Sequence, residues 1–98
     1  MLCITLMKPK PNSSIVQRRE RRLQWQYPEG MKVLAEYWLA TSDPAVITIA
    51  EADDAGVIRK AMEQWDDVFD YNVFPAITAE QGLAAARREF ATARASSI

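Results

Sequence analysis

Within residues 31–52, two strand-forming runs flank Ser42-Asp43-Pro44, and this β-hairpin restricts the chain more than any other feature. Asp43 caps the turn and Pro44 presets φ. Residues 32–40 alternate, with Val33, Ala35, Tyr37 and Leu39 on one face and Leu34, Glu36 and Trp38 on the other. Residues 45–51 are rich in β-branched side chains on both faces, which suits a central strand covered on each side. Each arm adjoins a segment with helical spacing, so the hairpin sits in the middle of a larger unit.

Before it, residues 2–7 read as a strand, and Lys8-Pro9-Lys10-Pro11 ends it because proline donates nothing to a ladder. Ser14 and Gln17 fit a capping box, so a first helix is expected over residues 15–27, with an apolar arc of Ile15, Val16, Leu23 and Tyr27. Arg19 falls inside that arc. Pro28-Glu29-Gly30 closes the helix, glycine allowing positive φ. After the hairpin, Asp53 is the expected cap of a second helix, in which Val57, Ile58, Ala61, Met62 and Trp65 make an amphipathic stripe. Residues 68–74 form a fourth strand that Pro75 ends. Thr78 and Gln81 form another capping box before a third, alanine-rich helix with a thin stripe of Leu83, Ala86, Phe90 and Ala93.

The order is βαββαβ with an added C-terminal helix. Two βαβ crossovers joined by a hairpin give the ferredoxin-like α+β arrangement, a four-stranded antiparallel sheet in the order 4-1-3-2. Residues 1–94 are one domain and residues 95–98 a frayed tail. The 98 residues are half apolar and a quarter charged, the ordinary globular balance. Net charge is −1, divided as +5 over residues 1–32 and −6 over the rest, a separation that can steer association between copies. The plainer expectation is two solvated helix faces of opposite sign. A single cysteine, an opening too short for a secretory leader and no apolar run of membrane length make a cytoplasmic protein the default.

Helices on one side of the sheet are expected to cover Leu2, Ile4, Leu6, Val33, Tyr37, Ile47, Ile49, Tyr71 and Val73. The other side then carries Cys3, Thr5, Met7, Leu34, Glu36, Trp38, Val46, Thr48, Ala50, Val68, Asp70, Asn72 and Phe74. That surface is too apolar to stay open on a monomer, and a second copy across a two-fold axis is the simplest cover. A homodimer through the open sheet face is therefore expected.

The order of elements, Pro28-Glu29-Gly30 before the second strand, Trp38 within it, Glu51 with Asp53-Asp54 opening the second helix, Trp65, and Pro75 closing the fourth strand together resemble a family of small uncharacterised proteins. That family falls within the dimeric α+β barrel superfamily, and the likeness covers residues 1–80. The resemblance implies a dimer whose sheets face each other around a cavity. It implies no activity, although the wider superfamily includes cofactor-free monooxygenases, haem-degrading enzymes and isomerases.

The chain has no histidine, which removes the commonest general base and metal ligand. No cofactor and no metal site are expected. The candidate catalytic residues are the carboxylates Asp70, as a base if the cavity raises its pKa, and Glu36, as a second carboxylate. Trp38, Asn72, Thr5, Thr48 and Phe74 are the candidate ligand-binding residues. Asp70 and Glu36 lie on opposite edge strands about 14 Å apart at ~4.8 Å per strand, so one subunit does not join them.

Arg18, Arg19, Arg21 and Arg22 followed by Trp25 and Tyr27 look like a basic patch with interleaved aromatics. The two central strands lack the aromatics on which an RNA-recognition motif stacks bases. The arginines are thus expected to form a solvated face bridged by Glu20, and no nucleic acid or membrane is an expected partner. The leading expectation is a structural or small-ligand-binding homodimer without catalysis. The alternative is a cofactor-free enzyme acting on a small planar organic substrate. A solvent-open cavity of about 300 Å³ or more would mark a ligand site.

Overall fold

The computed structural model describes residues 1–96. Its elements are β1 (Leu2–Pro9), α1 (Ile15–Gln24), β2 (Met31–Trp38), β3 (Val46–Ala52), α2 (Ala55–Glu63), β4 (Phe69–Ala76) and α3 (Ala79–Ser96). The strands form one antiparallel sheet in the order β2-β3-β1-β4, which is 4-1-3-2 from the other edge. This is the ferredoxin-like topology. No helix among the described residues is long and apolar enough to cross a membrane. The expected tail at residues 95–98 falls partly within α3, which includes Ala95 and Ser96, and residues 97 and 98 lie outside the described residues.

Several boundaries follow from local chemistry. The Ser14 hydroxyl accepts the Gln17 amide at 3.0 Å and caps α1. Thr78 and Gln81 exchange bonds of 3.1 and 2.9 Å, a reciprocal capping box. The cap of α2 is Asp54 rather than the expected Asp53, its carboxylate accepting from the Gly56 and Val57 amides. Gly30 sits at φ +87°, where the turn into β2 needs a residue without Cβ strain. The Asp43–Pro44 peptide bond in the hairpin is cis. Pro75 does not end β4: it pairs opposite Cys3 inside the strand. An edge strand accommodates proline because one side of its backbone makes no ladder. Pro28 disfavours helical geometry in the residue before it, and α1 already stops at Gln24, with Trp25 extended at φ −94°, ψ 140°. The expected last turn is therefore absent, and Trp25 and Tyr27 swing over the sheet.

Which face of the sheet the helices cover is the main correction. The core consists of Cys3 and Met7 from β1, Ala50 and Ala52 from β3, Ile58, Ala61 and Met62 from α2, with Trp65, Val68 and Phe69 after it. Thr5 and Thr48 pair across β1 and β3 on that same buried face. Leu2, Ile4, Leu6, Ile47 and Ile49 point to the open side, opposite to expectation. Both faces of these two strands are apolar, so alternation could not choose between them. The small residues Cys3, Thr5, Thr48, Ala50 and Ala52 let α2 approach closely, and its long side chains fill the space. In β2 the cause is a β-bulge. The register slips between Val33 and Ala35, so Leu34 has no directly opposed partner. Beyond it, Glu36 and Trp38 lie opposite Thr48 and Val46 on the helix-covered side, while Tyr37 turns to the open side with Ile47.

The open face still carries an apolar surface, made of different residues. One cross-strand row is Phe74, Ile4, Ile49 and Ala35, and the next is Asn72, Leu6, Ile47 and Tyr37. Tyr37 and Phe74 are 57% and 49% exposed. Helix α3 does not cover this face. It projects from the body, giving the chain a longest dimension of 63 Å and leaving Leu83 and Phe90 exposed.

Candidate functional site

Helix α1 lies over the sheet with an unexpected side inward. Ile15, Val16 and Leu23 are exposed, Leu23 at 86%. Facing the body instead are Arg18, Arg21 and Arg22, at positions i, i+3 and i+4 of one helical stripe, followed by Trp25 in the extended segment after the helix. Each arginine lies over a ring: Arg18 over Phe69 at 5.7 Å, Arg21 over Trp65 at 5.3 Å, and Arg22 over Tyr27 at 5.2 Å and Trp25 at 5.8 Å. Guanidinium planes stack on aromatic faces and arginine stems are apolar, so this stripe packs where a lysine stripe would not. The rings also pack edge-on, Trp25 against Tyr27 at 4.7 Å and against Trp65 at 5.6 Å. The expectation of a solvated arginine face bridged by Glu20 therefore fails. Among the described residues Glu20 makes no ion pair, and the acidic partners are Asp67 for Arg21 and Glu36 for Arg22.

Between α1, the segment after it and the helix-side face of β2 and β3 is a solvent-open pocket of about 120 Å³. Met7, Val46, Thr48, Met62 and Phe69 form its floor and wall, and Trp25, Tyr27, Trp38 and Trp65 its aromatic sides. All three tryptophans of the chain line it. Arg18, Arg19 and Arg22 border it from α1, and Glu36 from β2.

Glu36 is the most heavily bonded side chain in the pocket. It accepts from Arg22 Nε at 3.2 Å and Nη2 at 3.1 Å, from Trp38 Nε1 at 2.7 Å, and from the Tyr27 hydroxyl. Burial alone pushes its carboxyl up, but the bonds from Arg22, Tyr27 and Trp38 together outweigh this and hold it below the ordinary glutamate range. Burial, followed by the bond to this carboxylate, pushes the Tyr27 phenol up to about 12. Glu36 is thus a fixed anion with its acceptor sites occupied. It is the opposite of the raised-pKa base that an acid–base role requires.

The sequence-derived site residues divide between two faces. Glu36, Trp38, Thr5 and Thr48 lie on the helix side, with Glu36, Trp38 and Thr48 in the pocket and Thr5 in the core beneath. Asp70, Asn72 and Phe74 lie on the open side, and Asp70 is exposed beside Lys10 at 3.9 Å. No shared site joins Asp70 to Glu36 in one chain, because the sheet stands between them. Arg18, Arg22, Trp25, Tyr27 and Trp65 were not candidates, although the arginine–aromatic interleaving already contained the signal. Among the described residues no group of three His, Cys, Asp or Glu side chains is placed to hold a metal ion.

The depressed Glu36 pKa gives a pH prediction. The folded value lies below the unfolded value near 4.5, so its stabilisation is fully present above pH 4.5 and is lost as pH falls through the folded pKa. Urea midpoints measured from pH 7 downward should fall over this acid range, and Glu36→Gln should be less stable at pH 7 with a flatter profile. An equally steep profile in Glu36→Gln would assign the acid sensitivity to other carboxylates.

The antiparallel sheet, its two crossover helices and the pocket beneath α1 define a ferredoxin-like α+β protein with a concave, aromatic-lined site on the helix side of its sheet. The chain belongs to the family described as a domain of unknown function, DUF3303, which matches residues 1–90. No curated protein and no solved structure matches it.

Proposed function

We propose that this protein is a non-catalytic small-ligand-binding homodimer, pairing through its open sheet face and holding ligand in the α1 pocket of each chain. The observation that carries the ligand reading is a solvent-open pocket of about 120 Å³ lined by five aromatic side chains and bordered by three arginines. Ligand sites are apolar concavities with a few convergent polar groups. Its volume is below the ~300 Å³ of drug-sized sites. It is comparable to the ~150 Å³ engineered cavity that takes up benzene, so one aromatic ring fits within it. Catalysis by paired carboxylates loses its geometry, since Asp70 and Glu36 occupy opposite faces. The uncovered rows around Ile4 and Ile47 support pairing, as the dimeric α+β barrel resemblance implies. The buried, unpaired Cys3 fits a cytoplasmic setting, where thiols stay reduced.

The direct test uses the tryptophans as reporters. One-ring aromatic compounds should change the intrinsic fluorescence saturably, and Thr48→Trp, which fills the floor, should abolish the effect while the circular dichroism stays unchanged. Should Thr48→Trp perturb the fold, Val46→Phe provides the same obstruction from nearer the mouth. Saturable binding that survives a filled pocket in a folded variant would place the ligand elsewhere.

A further inference from the structure

We infer that the pocket takes a one-ring carboxylate, an aromatic monoacid whose ring lies among the tryptophans and whose carboxylate meets Arg18 and Arg19. This rests on the ligand-pocket reading and adds the ligand's charge and shape. The charged groups bordering the space are three arginines and one glutamate, and Arg22 already neutralises Glu36 at 3.1 Å. Two cations therefore stand at the pocket without a counter-charge from its lining.

Their bonding states differ in a useful way. Arg18 donates through Nη1 to the Ser13 carbonyl at 3.0 Å and hydroxyl at 2.7 Å, both neutral acceptors. These bonds and the stack on Phe69 fix the guanidinium, while its Nε and Nη2 donate to nothing among the described residues. Arg19 makes no hydrogen bond or ion pair among the described residues and is exposed at the mouth. The nearby acids are engaged elsewhere: Asp67 takes Arg21 through two bonds of 2.7 and 2.8 Å, and Asp70 faces Lys10 across the sheet. A held guanidinium beside a free one suits a planar two-oxygen anion, which accepts two parallel N–H bonds from such a fork.

The indole donors select in the same direction. Trp25 Nε1 donates to Gln64 at 2.8 Å and Trp38 Nε1 to Glu36 at 2.7 Å, so neither remains for a ligand. Trp65 Nε1, the third indole, donates to nothing among the described residues; the free charged donors at the pocket belong to the arginines, and the partner all of these lack is an acceptor without hydrogens of its own. A carboxylate meets that description, and an alcohol or primary amide only in part. About 120 Å³ beside aromatic walls accommodates one ring, whereas a fused system would have to project from the mouth into solvent.

The experiment titrates the full chain with benzoate, benzamide and 1-naphthoate by tryptophan fluorescence and calorimetry, at low and at 0.5 M salt. Benzoate should bind at least tenfold tighter than benzamide and 1-naphthoate, and its affinity should fall with salt. Arg19→Gln, a change at an exposed residue without partners, should weaken benzoate at least fivefold and leave benzamide as it was. Arg18→Gln should act likewise. Benzamide binding as tightly as benzoate would overturn the charge inference and leave the pocket reading standing. Failure of all three to bind would overturn both.

Discussion

Replacing Arg22 by alanine should lower the thermal midpoint by roughly 8–24 °C, the largest loss expected from any single change on α1. The side chain binds Glu36 through Nε and Nη2, donates to the Trp25 carbonyl at 3.1 Å and stacks on Trp25 and Tyr27. Its removal leaves a carboxylate whose side chain is only 15% exposed with neutral donors alone. Breaking a buried pair by deleting one partner costs about 3–5 kcal/mol. Partial access to water reduces this to about 2–3 kcal/mol, and a domain of this size loses about 4–8 °C per kcal/mol. Arg21→Ala provides the comparison. Its partner Asp67 is 58% exposed, so the charge left behind is solvated and the shift should be much smaller. Arg22→Ala with Glu36→Gln should recover part of the loss, because the orphaned charge is then gone. Equal midpoints for the two arginine variants would mean that the Glu36 network does not hold α1 to the sheet.

That network also marks where the sequence stopped being informative. Element order and strand order were legible because each rests on local signals: the capping boxes at Ser14 and Thr78, the glycine at residue 30, the stripe ending at Trp65. The orientation of β1 and β3 was not, since Ile4 and Ile49 are as apolar as the residues buried behind them. What decides it is the close approach of α2, which selects Cys3, Thr48 and Ala50 for their size. A bulge adds one residue without any glycine or proline to announce it, and at Leu34 it moved Glu36 and Trp38 to the other face. Helix α1 escaped for a different reason. A hydrophobicity pattern scores arginine as solvent-facing, whereas here the guanidinium planes and their stems are the packing surface. Of the seven candidate residues, Glu36, Trp38 and Thr48 line the pocket beneath α1, on the side of the sheet opposite to the one expected for them.

Ile4→Asp should convert the proposed dimer to single chains at micromolar concentration, read as a halved mass in sedimentation equilibrium. Ile4 occupies β1, an inner strand, flanked on the open face by Phe74 and Ile49. Four strands at ~4.8 Å and eight residues at ~3.3 Å give that face roughly 500 Å², so two of them clear the ~1,000 Å² that a specific interface needs. In one chain an aspartate at this half-buried position reaches water, and the core on the other face is untouched. Across a two-fold axis it is desolvated and near its own copy. A buried unpaired charge costs several kcal/mol, enough to weaken a micromolar dimer by more than a hundredfold. Val16→Asp, on the outward stripe of α1 at 61% exposure, adds the same charge elsewhere and should leave the mass unchanged. If Val16→Asp dissociates the pair and Ile4→Asp does not, the copies meet through α1. The mouth of the pocket would then lie at the interface, and ligand binding should become concentration-dependent along with assembly.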